Sequence, residues 1–334
     1  MKADLRLLKS ITKGAERIEE KDSGFNFYRF SKKEEELYSS SPLSPRTFAT
    51  AGIKLHFITD AEKIDIKIET EAVCYAKFFS LDVYSDKKLS GVIKNYLDAL
   101  PDTGYNDSDF PNGEFSGCFD LGKGEKEVEI YFPQLVKTKL LSLELSECNV
   151  IKSIPSKGHF LLYGGSVSQG TAAKNPSFAY GVKLSESLGC ELFCKSIGSE
   201  VYFPDLAREK SEVIKPSFIM AAYGSNDWYN LTYDEAERRC RGFWKAICKN
   251  YPGAKKIALS PIWYRDRFEK RPFGEFSEME KLIERVVGEI GGITHVKGFD
   301  LIPGEDKYFV DGIHPNNHGF ELFCESFKKE FKYI

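Results

Sequence analysis

The feature that most constrains the fold is a change of hydrophobic period near Ser156. From Thr47 to about Ile151, apolar and polar residues alternate, which is the period of half-buried β-strands. After Ser156, short continuous apolar runs alternate with helical stretches, as in strand–helix units around a parallel sheet. The sequence therefore predicts an all-β domain of the β-sandwich or jelly-roll-like type over residues 1–155 and an α/β domain over residues 156–334.

In the first half, the alternating apolar positions are Ile53, Leu55 and Phe57; Ile64, Ile66 and Ile68; Phe79, Leu81 and Val83; Val128, Ile130 and Phe132; and Leu141, Leu143 and Leu145. Many short strands of this kind favour an antiparallel sandwich. Before them, residues 15–30 are predicted to form a hairpin around residues 21–24, and residues 31–38 a short helix.

In the second half, five buried runs predict a five-stranded parallel sheet: 160–163, 191–194, 217–223, 256–260 and 294–297. Thr232 with Glu235 matches a capping box. The helix after it has an apolar face formed by Ala236, Cys240, Phe243, Trp244 and Ile247. A C-terminal helix has a second apolar stripe formed by Phe320, Phe323, Phe327 and Phe331. Both stripes are expected to pack on the sheet.

Charge and cysteine usage narrow the classes of partner. The formal charge of -3 comes from 47 basic and 50 acidic side chains that are mixed along the chain, so nucleic acid is not an expected partner. No apolar run has the length of a signal peptide core or a membrane span. The eight cysteines contain no Cys-x-x-Cys pair, which favours reduced thiols and a cytoplasmic location.

Residues that could react with or bind a ligand follow several of the predicted strands. Ligands bind beyond the carboxyl ends of the strands in open α/β sheets. There the first strand stops at Gly164 and Gly165 and is followed by Ser166. Gly198 follows the second strand, and Asn226 follows the third. Their convergence would place a hydroxyl beside N–H donors.

A histidine and an acid complete this set near the C-terminus. In the run Asp311-Gly312-Ile313-His314-Pro315, a carboxylate lies three residues before an imidazole, close enough to fix its tautomer. Serine, histidine and acid form a catalytic set when the base reaches the hydroxyl and the acid orients the base. We therefore expect Ser166, His314 and Asp311 to meet at one edge of the sheet.

These four blocks, in this order, resemble the SGNH/GDSL hydrolase family over roughly residues 158–325. The resemblance implies a flavodoxin-like α/β domain, with Ser166 as the nucleophile and Asp311 and His314 completing a triad. It also implies an oxyanion hole formed by the N–H groups of Ser166 and Gly198 and the side chain of Asn226. One position departs from the family pattern, since Gly165 stands where an aspartate usually precedes the serine.

The resemblance extends more loosely to the first half, which is similar to the sandwich domain that precedes the catalytic domain in one bacterial branch of the family. That branch includes carbohydrate acetylesterases. Trp228, Trp263 and Tyr264 follow the third and fourth strands, and they are candidates for a sugar-binding surface or for core packing. His314 and His318 do not form a zinc motif, because no glutamate directly follows His314 and no cysteine pair lies nearby.

The functional hypothesis is hydrolysis of a small acyl ester, such as the acetyl ester of a carbohydrate or another small molecule, through an acyl-Ser166 intermediate. This chemistry requires no metal or organic cofactor. Two alternatives use the same residues differently. One is an acyltransferase with the same triad, and the other is a carbohydrate-binding protein whose hydrolase half has lost activity through Gly165.

Overall fold

The computed structural model describes residues 1–96 and 110–330, and Phe331 of the predicted apolar stripe lies outside these ranges. The first half begins with helix α1 (Leu5–Ile11), and helix α2 (Lys32–Leu37) follows the hairpin. Its strands are β1 (Thr12–Lys13), β2 (Arg17–Lys21), β3 (Gly24–Tyr28), β4 (Lys54–Thr59), β5 (Lys63–Ala72), β6 (Ser80–Ser85), β7 (Lys88–Lys94), β8 (Gly113–Asp120), β9 (Lys126–Tyr131), β10 (Val136–Leu145) and β11 (Ile151–Ser153).

These strands form two antiparallel sheets with a shared core. One sheet has the order β1-β4-β9-β6-β7, with β11 also paired to β4, and the other has the order β2-β3-β10-β5-β8. Strand β4 buries Leu55 and Phe57, and β5 of the other sheet buries Ile64 and Ile66 in the same cluster. The predicted period of two and the antiparallel class are therefore confirmed. The hairpin is confirmed as β2 and β3, which pair from Arg17 opposite Tyr28 to Lys21 opposite Gly24.

One part of the predicted alternation is wrong. The register of β10 against β5 shifts between Leu140 and Ser142, so the extra residue Leu141 forms a bulge. A bulge moves the following residues to the opposite face. Leu140 and Leu143 are therefore buried, whereas Leu141 is only half-buried.

The second half contains the predicted parallel sheet. Its strands are β12 (His159–Gly164), β13 (Glu191–Cys194), β14 (Pro216–Ala222), β15 (Lys255–Leu259) and β16 (Thr294–Val296). Their order is β13-β12-β14-β15-β16, which is the order 2-1-3-4-5 of flavodoxin-like sheets. The division of the chain at residues 155 and 156 stays a prediction.

Helices cover both faces of this sheet: α3 (Ser166–Gln169), α4 (Tyr180–Leu188), α5 (Pro204–Arg208), α6 (Ser225–Asn230), α7 (Tyr233–Asn250), α8 (Phe276–Ile290) and α9 (Asn317–Glu330). The predicted apolar face of α7 is buried in one core, and Phe320, Phe323 and Phe327 of α9 are buried in the core on the other face. Thr232 caps α7 by accepting from the N–H of Glu235. The Glu235 carboxylate pairs with Arg239 at 2.6 Å.

The cysteines and the apolar character of the helices were also subjects of expectations from the sequence. All eight cysteines are free, and Cys194, Cys240 and Cys324 are buried. Among the helices of residues 1–96 and 110–330, none combines the length and the apolar character that a membrane crossing requires.

A buried arginine joins the antiparallel half to the parallel sheet. Arg29 is 1% exposed, and its guanidinium donates to the carbonyl oxygens of Cys194 at 2.7 Å and Ser196 at 2.9 Å, directly after β13. It also donates to the carbonyls of Ala49 at 2.5 Å and Arg46 at 3.0 Å. The loop after β13 is therefore held by a side chain from the hairpin region.

Arg29→Ala should lower the free energy of unfolding by about 3 kcal/mol, because it leaves buried carbonyl groups without donors and opens a cavity. Urea unfolding of the two proteins measures this difference. Arg6→Ala is the control, since Arg6 is exposed on α1. Equal midpoints for wild type and Arg29→Ala would contradict the proposed importance of this contact.

Candidate active site

Ser166 lies at the carboxyl end of β12, the strand between β13 and β14. The strand ends at Gly164, and Gly165 leads into the short helix α3, of which Ser166 is the first residue. A Cβ atom at Gly164 would lie 2.8 Å from the carbonyl oxygen of Ala222 on β14. Glycine is therefore required by the close approach of the neighbouring strand, and the turn it permits exposes the serine.

The acid and the histidine share one tight loop before α9. The Asp311 Oδ1 atom accepts from the N–H of Ile313 at 3.1 Å and from the N–H of His314 at 2.9 Å. Gly312 between them has a φ of +88°, which favours glycine. These local bonds fix the position of the carboxylate relative to the imidazole.

Ser166, His314 and Asp311 form one continuous line of hydrogen bonds. The His314 Nε2 atom lies 2.7 Å from Ser166 Oγ, and its Nδ1 atom lies 2.6 Å from Asp311 Oδ2. Burial raises the pKa of Asp311, but the hydrogen bond and charge of His314 outweigh it and lower the pKa to about 2. An ionised carboxylate keeps the proton on Nδ1, so Nε2 is free to accept the serine proton.

Asn226 lies beside this line at the start of α6. Its Nδ2 atom donates one hydrogen to the carbonyl of Glu200 at 3.0 Å, which leaves the second hydrogen of the amide for a ligand. Asp227 is fully buried and accepts from the N–H groups of Tyr202 at 2.9 Å and Gly224 at 3.0 Å. Asp227 thus braces the loop that carries Asn226.

Gly165, which stands where the family pattern has an aspartate, lies beside the Asn226 amide. A Cβ atom at Gly165 would lie 2.9 Å from Asn226 Nδ2, so a side chain there would displace the amide. The serine turn is held instead by backbone bonds, from the Gln169 N–H to the Gly165 carbonyl and from the Thr171 N–H to the Ser166 carbonyl, both 3.0 Å long.

Gly198 is close to Ser166, but its N–H group is already engaged. It donates to Gln169 Oε1 at 2.8 Å, and the buried Gln169 amide in turn donates to the Gln134 carbonyl at 3.1 Å and to Cys74 Sγ at 3.3 Å. The prediction of Gly198 as an open oxyanion donor therefore does not match this arrangement. The pattern of glycine after a strand could not reveal a competing acceptor from α3.

Of the two alternatives for Trp228 and Trp263, burial favours core packing over a sugar-binding surface. Trp228 is fully buried, and its Nε1 atom donates to the Gly274 carbonyl at 2.9 Å. Trp263 is 9% exposed and packs against Phe309 with ring centroids 4.8 Å apart. Trp228 belongs to the core on one face of the parallel sheet, and Trp263 belongs to the core on the other face. Tyr264 is half-buried against Trp228.

Two residues of the antiparallel half reach the site. The Tyr75 hydroxyl lies 3.4 Å from His314 Nε2, and the Arg46 guanidinium lies 5.8 Å from the Tyr75 ring centroid. Arg46 Nη1 also donates to the carbonyl of Gly198. Neither residue follows a parallel strand or belongs to a motif, so sequence reasoning missed both.

A small cavity opens next to the serine. Its volume is about 50 Å³. It is lined by polar groups of the serine and asparagine turns and by apolar side chains that include Leu259, Ile262 and Ile313. This space suits a group of a few heavy atoms, since one water requires roughly 10–15 Å³ of such volume.

In the described part of the chain, one cluster of side chains away from Ser166 has the spacing of metal ligands. His56, Glu127 and Glu129 lie close together on the antiparallel sheet that contains β4 and β9. Glu129 pairs there with Lys54 at 2.6 Å and Lys87 at 2.7 Å, so resident cations already balance its charge. His318 is exposed and packs against the Tyr308 ring.

Glu200 contacts the asparagine turn: its backbone carbonyl accepts from Asn226, and its buried carboxyl group contacts Tyr223 just before the turn. Glu200 is 3% exposed, accepts from the Tyr223 hydroxyl at 2.7 Å and also accepts from the Tyr38 hydroxyl. Burial raises the pKa of Glu200 to about 8, although both tyrosine hydrogen bonds lower it. Glu200 is therefore largely protonated at neutral pH.

This pKa has a consequence for stability. Between roughly pH 5 and pH 8 the folded protein keeps a proton on Glu200 that the unfolded chain has lost, so the free energy of unfolding falls as pH rises. In Glu200→Gln this contribution is absent, and stability relative to wild type should rise by ~1 kcal/mol per pH unit in that window. Urea titrations at several pH values test this, with the exposed Glu20→Gln as the control. A constant difference across the window would refute it.

No family model matches the sequence, and no curated protein matches it. Solved structures do match. A salicylyl-acyltransferase, SsfX3, from a tetracycline biosynthetic pathway is 20% identical with a TM-score of 0.78, covering 96% of this chain and 93% of that one. A protein described as a GDSL-like lipase from Bacteroides ovatus is 18% identical with a TM-score of 0.76, covering 98% and 96%.

A family two carbohydrate esterase from Clostridium thermocellum, solved in complex with cellohexaose, is 11% identical with a TM-score of 0.62 and covers 85% of this chain and 93% of that one. At these identities the likeness concerns the fold. Because the first two alignments span nearly the whole chain, the likeness includes the antiparallel half as well as the parallel sheet. This chain has the fold of the SGNH/GDSL hydrolases.

Proposed function

We propose that this protein is a serine esterase that hydrolyses a small acyl ester, such as the acetyl ester of a carbohydrate or another small molecule. The observation that carries the proposal is the line of hydrogen bonds from Ser166 through His314 to Asp311, with distances of 2.7 and 2.6 Å. Such a line allows a hydroxyl to act as a nucleophile near neutral pH.

In the first step, Ser166 Oγ attacks the ester carbonyl carbon while His314 Nε2 takes the serine proton. Asp311 stabilises the imidazolium that forms and does not itself take the proton. The tetrahedral intermediate collapses to an acyl-serine, and His314 protonates the leaving alcohol. Water then attacks the acyl-serine by the same sequence, which releases the acid and restores Ser166.

The oxyanion that forms in both steps requires nearby donors. The Ser166 N–H and the second amide hydrogen of Asn226 fit this role, and neither has an acceptor among the described residues. Gly198 N–H can join them only by sharing or exchanging its bond to Gln169. Donors fixed in advance stabilise the developing charge without reorganisation.

Ser166→Ala should lower the turnover of an aryl acetate by on the order of three decades or more, because it removes the nucleophile. The matched control is Ser10→Ala on the exposed face of α1. A fluorophosphonate probe should label wild type and the control but not Ser166→Ala. Equal turnover by wild type and Ser166→Ala would reject the proposal. Absence of labelling in wild type would favour the carbohydrate-binding alternative.

Asn226→Ala should lower kcat by about 10²-fold or more, as expected for loss of one oxyanion donor. KM for the same ester should change much less, since the bond strengthens as charge develops. Steady-state kinetics measures both constants, with the exposed Asn149→Ala as the control. A rise in KM with kcat unchanged would assign Asn226 to ground-state binding.

Acyl transfer to an alcohol is a second candidate, because the acyltransferase SsfX3 has a similar structure over 96% of this chain. The two reactions share the acyl-serine and differ in the group that attacks it. Product analysis separates them: with an aryl acetate and increasing concentrations of an added alcohol, a transferase forms the new ester at the expense of free acetate. An unchanged acetate yield supports hydrolysis.

A further inference from the structure

One cation beside the nucleophile is not used by the proposed mechanism. Arg46 is half-buried, and its Nη1 atom donates to the Gly198 carbonyl. A guanidinium has five N–H donors, and within the described ranges 1–96 and 110–330 most of the donors of Arg46 have no hydrogen-bond acceptor. Within residues 1–96 and 110–330 no carboxylate pairs with it.

Two other arginines near the site have more of their N–H donors occupied by protein acceptors. Arg265, on the segment after β15, pairs with Asp306 at 2.9 Å. Arg29 donates to four backbone carbonyls. An unpaired, partly desolvated guanidinium is suited to bind a planar anion with two parallel hydrogen bonds.

The position of Arg46 relates it to the reacting groups. A Cβ atom built on Gly198 would lie 3.6 Å from Arg46 Nη1 and 3.6 Å from Ser166 Cβ, so the guanidinium and the nucleophile flank the same glycine. Tyr75 is near both Arg46 and His314: its ring centroid lies 5.8 Å from the Arg46 guanidinium, and its hydroxyl lies 3.4 Å from His314 Nε2. Nε2 is the atom that protonates the leaving alcohol.

We propose that Arg46 makes the enzyme select esters whose alcohol portion carries a negatively charged group, such as a carboxylate. The inference rests on the proposed esterase function. An alcohol whose ester oxygen lies at His314 Nε2 extends across Tyr75 towards Arg46, where its anionic group forms charge-assisted hydrogen bonds. For a carbohydrate substrate, this chemistry corresponds to an acylated acidic sugar.

The test uses two aryl acetates of the same shape, 4-acetoxybenzoate and the neutral 4-acetoxybenzamide. Each kcat/KM is divided by the rate of hydroxide-catalysed hydrolysis of that ester, which removes the difference in intrinsic reactivity. Wild type should prefer the carboxylate by about tenfold, and the preference should fall with ionic strength.

Arg46→Gln should bring the ratio of the two values close to one, and Arg46→Lys should retain part of it, because the charge remains while the fork geometry is lost. Arg6→Gln removes the same charge on exposed α1 and should keep the wild-type ratio. The salt dependence in wild type tests the inference even when a variant fails to fold.

The outcomes separate this inference from the function on which it rests. Turnover of both esters with a ratio near one in wild type, or a ratio that survives Arg46→Gln, rejects the role of Arg46 while the esterase stands. Turnover of neither ester, with no fluorophosphonate labelling of Ser166, rejects the esterase and this inference together.

Discussion

The geometry of the site depends on the buried guanidinium of Arg29. Its hydrogen bonds to the carbonyls of Cys194 and Ser196 fix the chain two residues before Gly198, and its bond to the Arg46 carbonyl fixes the segment that faces Gly198. A buried cation is costly unless polar groups replace its hydration. Here backbone carbonyls from both halves replace it, so the antiparallel half and the loop beside the nucleophile are positioned together.

Two carboxyl groups in the region of the serine, those of Asp311 and Glu200, differ in charge because their environments differ. Asp311 is ionised, with a pKa of about 2, because it faces His314 and two backbone N–H groups. Glu200 has its pKa raised to about 8 by burial, so it approaches the oxyanion side without a full negative charge. In the proposed mechanism, this arrangement would place negative charge where the imidazolium forms and keep it away from where the oxyanion forms.

The parts of the structure that the sequence predicted correctly are local. Short apolar runs predicted the five parallel strands, and because parallel strands end at one edge, they also predicted that Ser166 and Asn226 lie at that edge. Asp311 and His314 are three residues apart, so their contact follows from a tight loop. The engagement of Gly198 by Gln169, the burial of Trp228 and the approach of Tyr75 depend on contacts between distant segments, for which one sequence carries no periodic signal.

The two sides of the serine differ in what encloses them. In the proposed mechanism, the cavity of about 50 Å³ built from the parallel-sheet half would hold the acyl group and limit its size. The alcohol side is bordered by Tyr75, which is 43% exposed, and by Arg46, both from the antiparallel half. A small acyl cavity and a cationic alcohol side would make the leaving alcohol, rather than the acyl group, the part of the substrate that the proposed esterase distinguishes. Under the proposed function, the antiparallel half would then supply the residues that select the substrate, and the parallel-sheet half would supply the reacting groups.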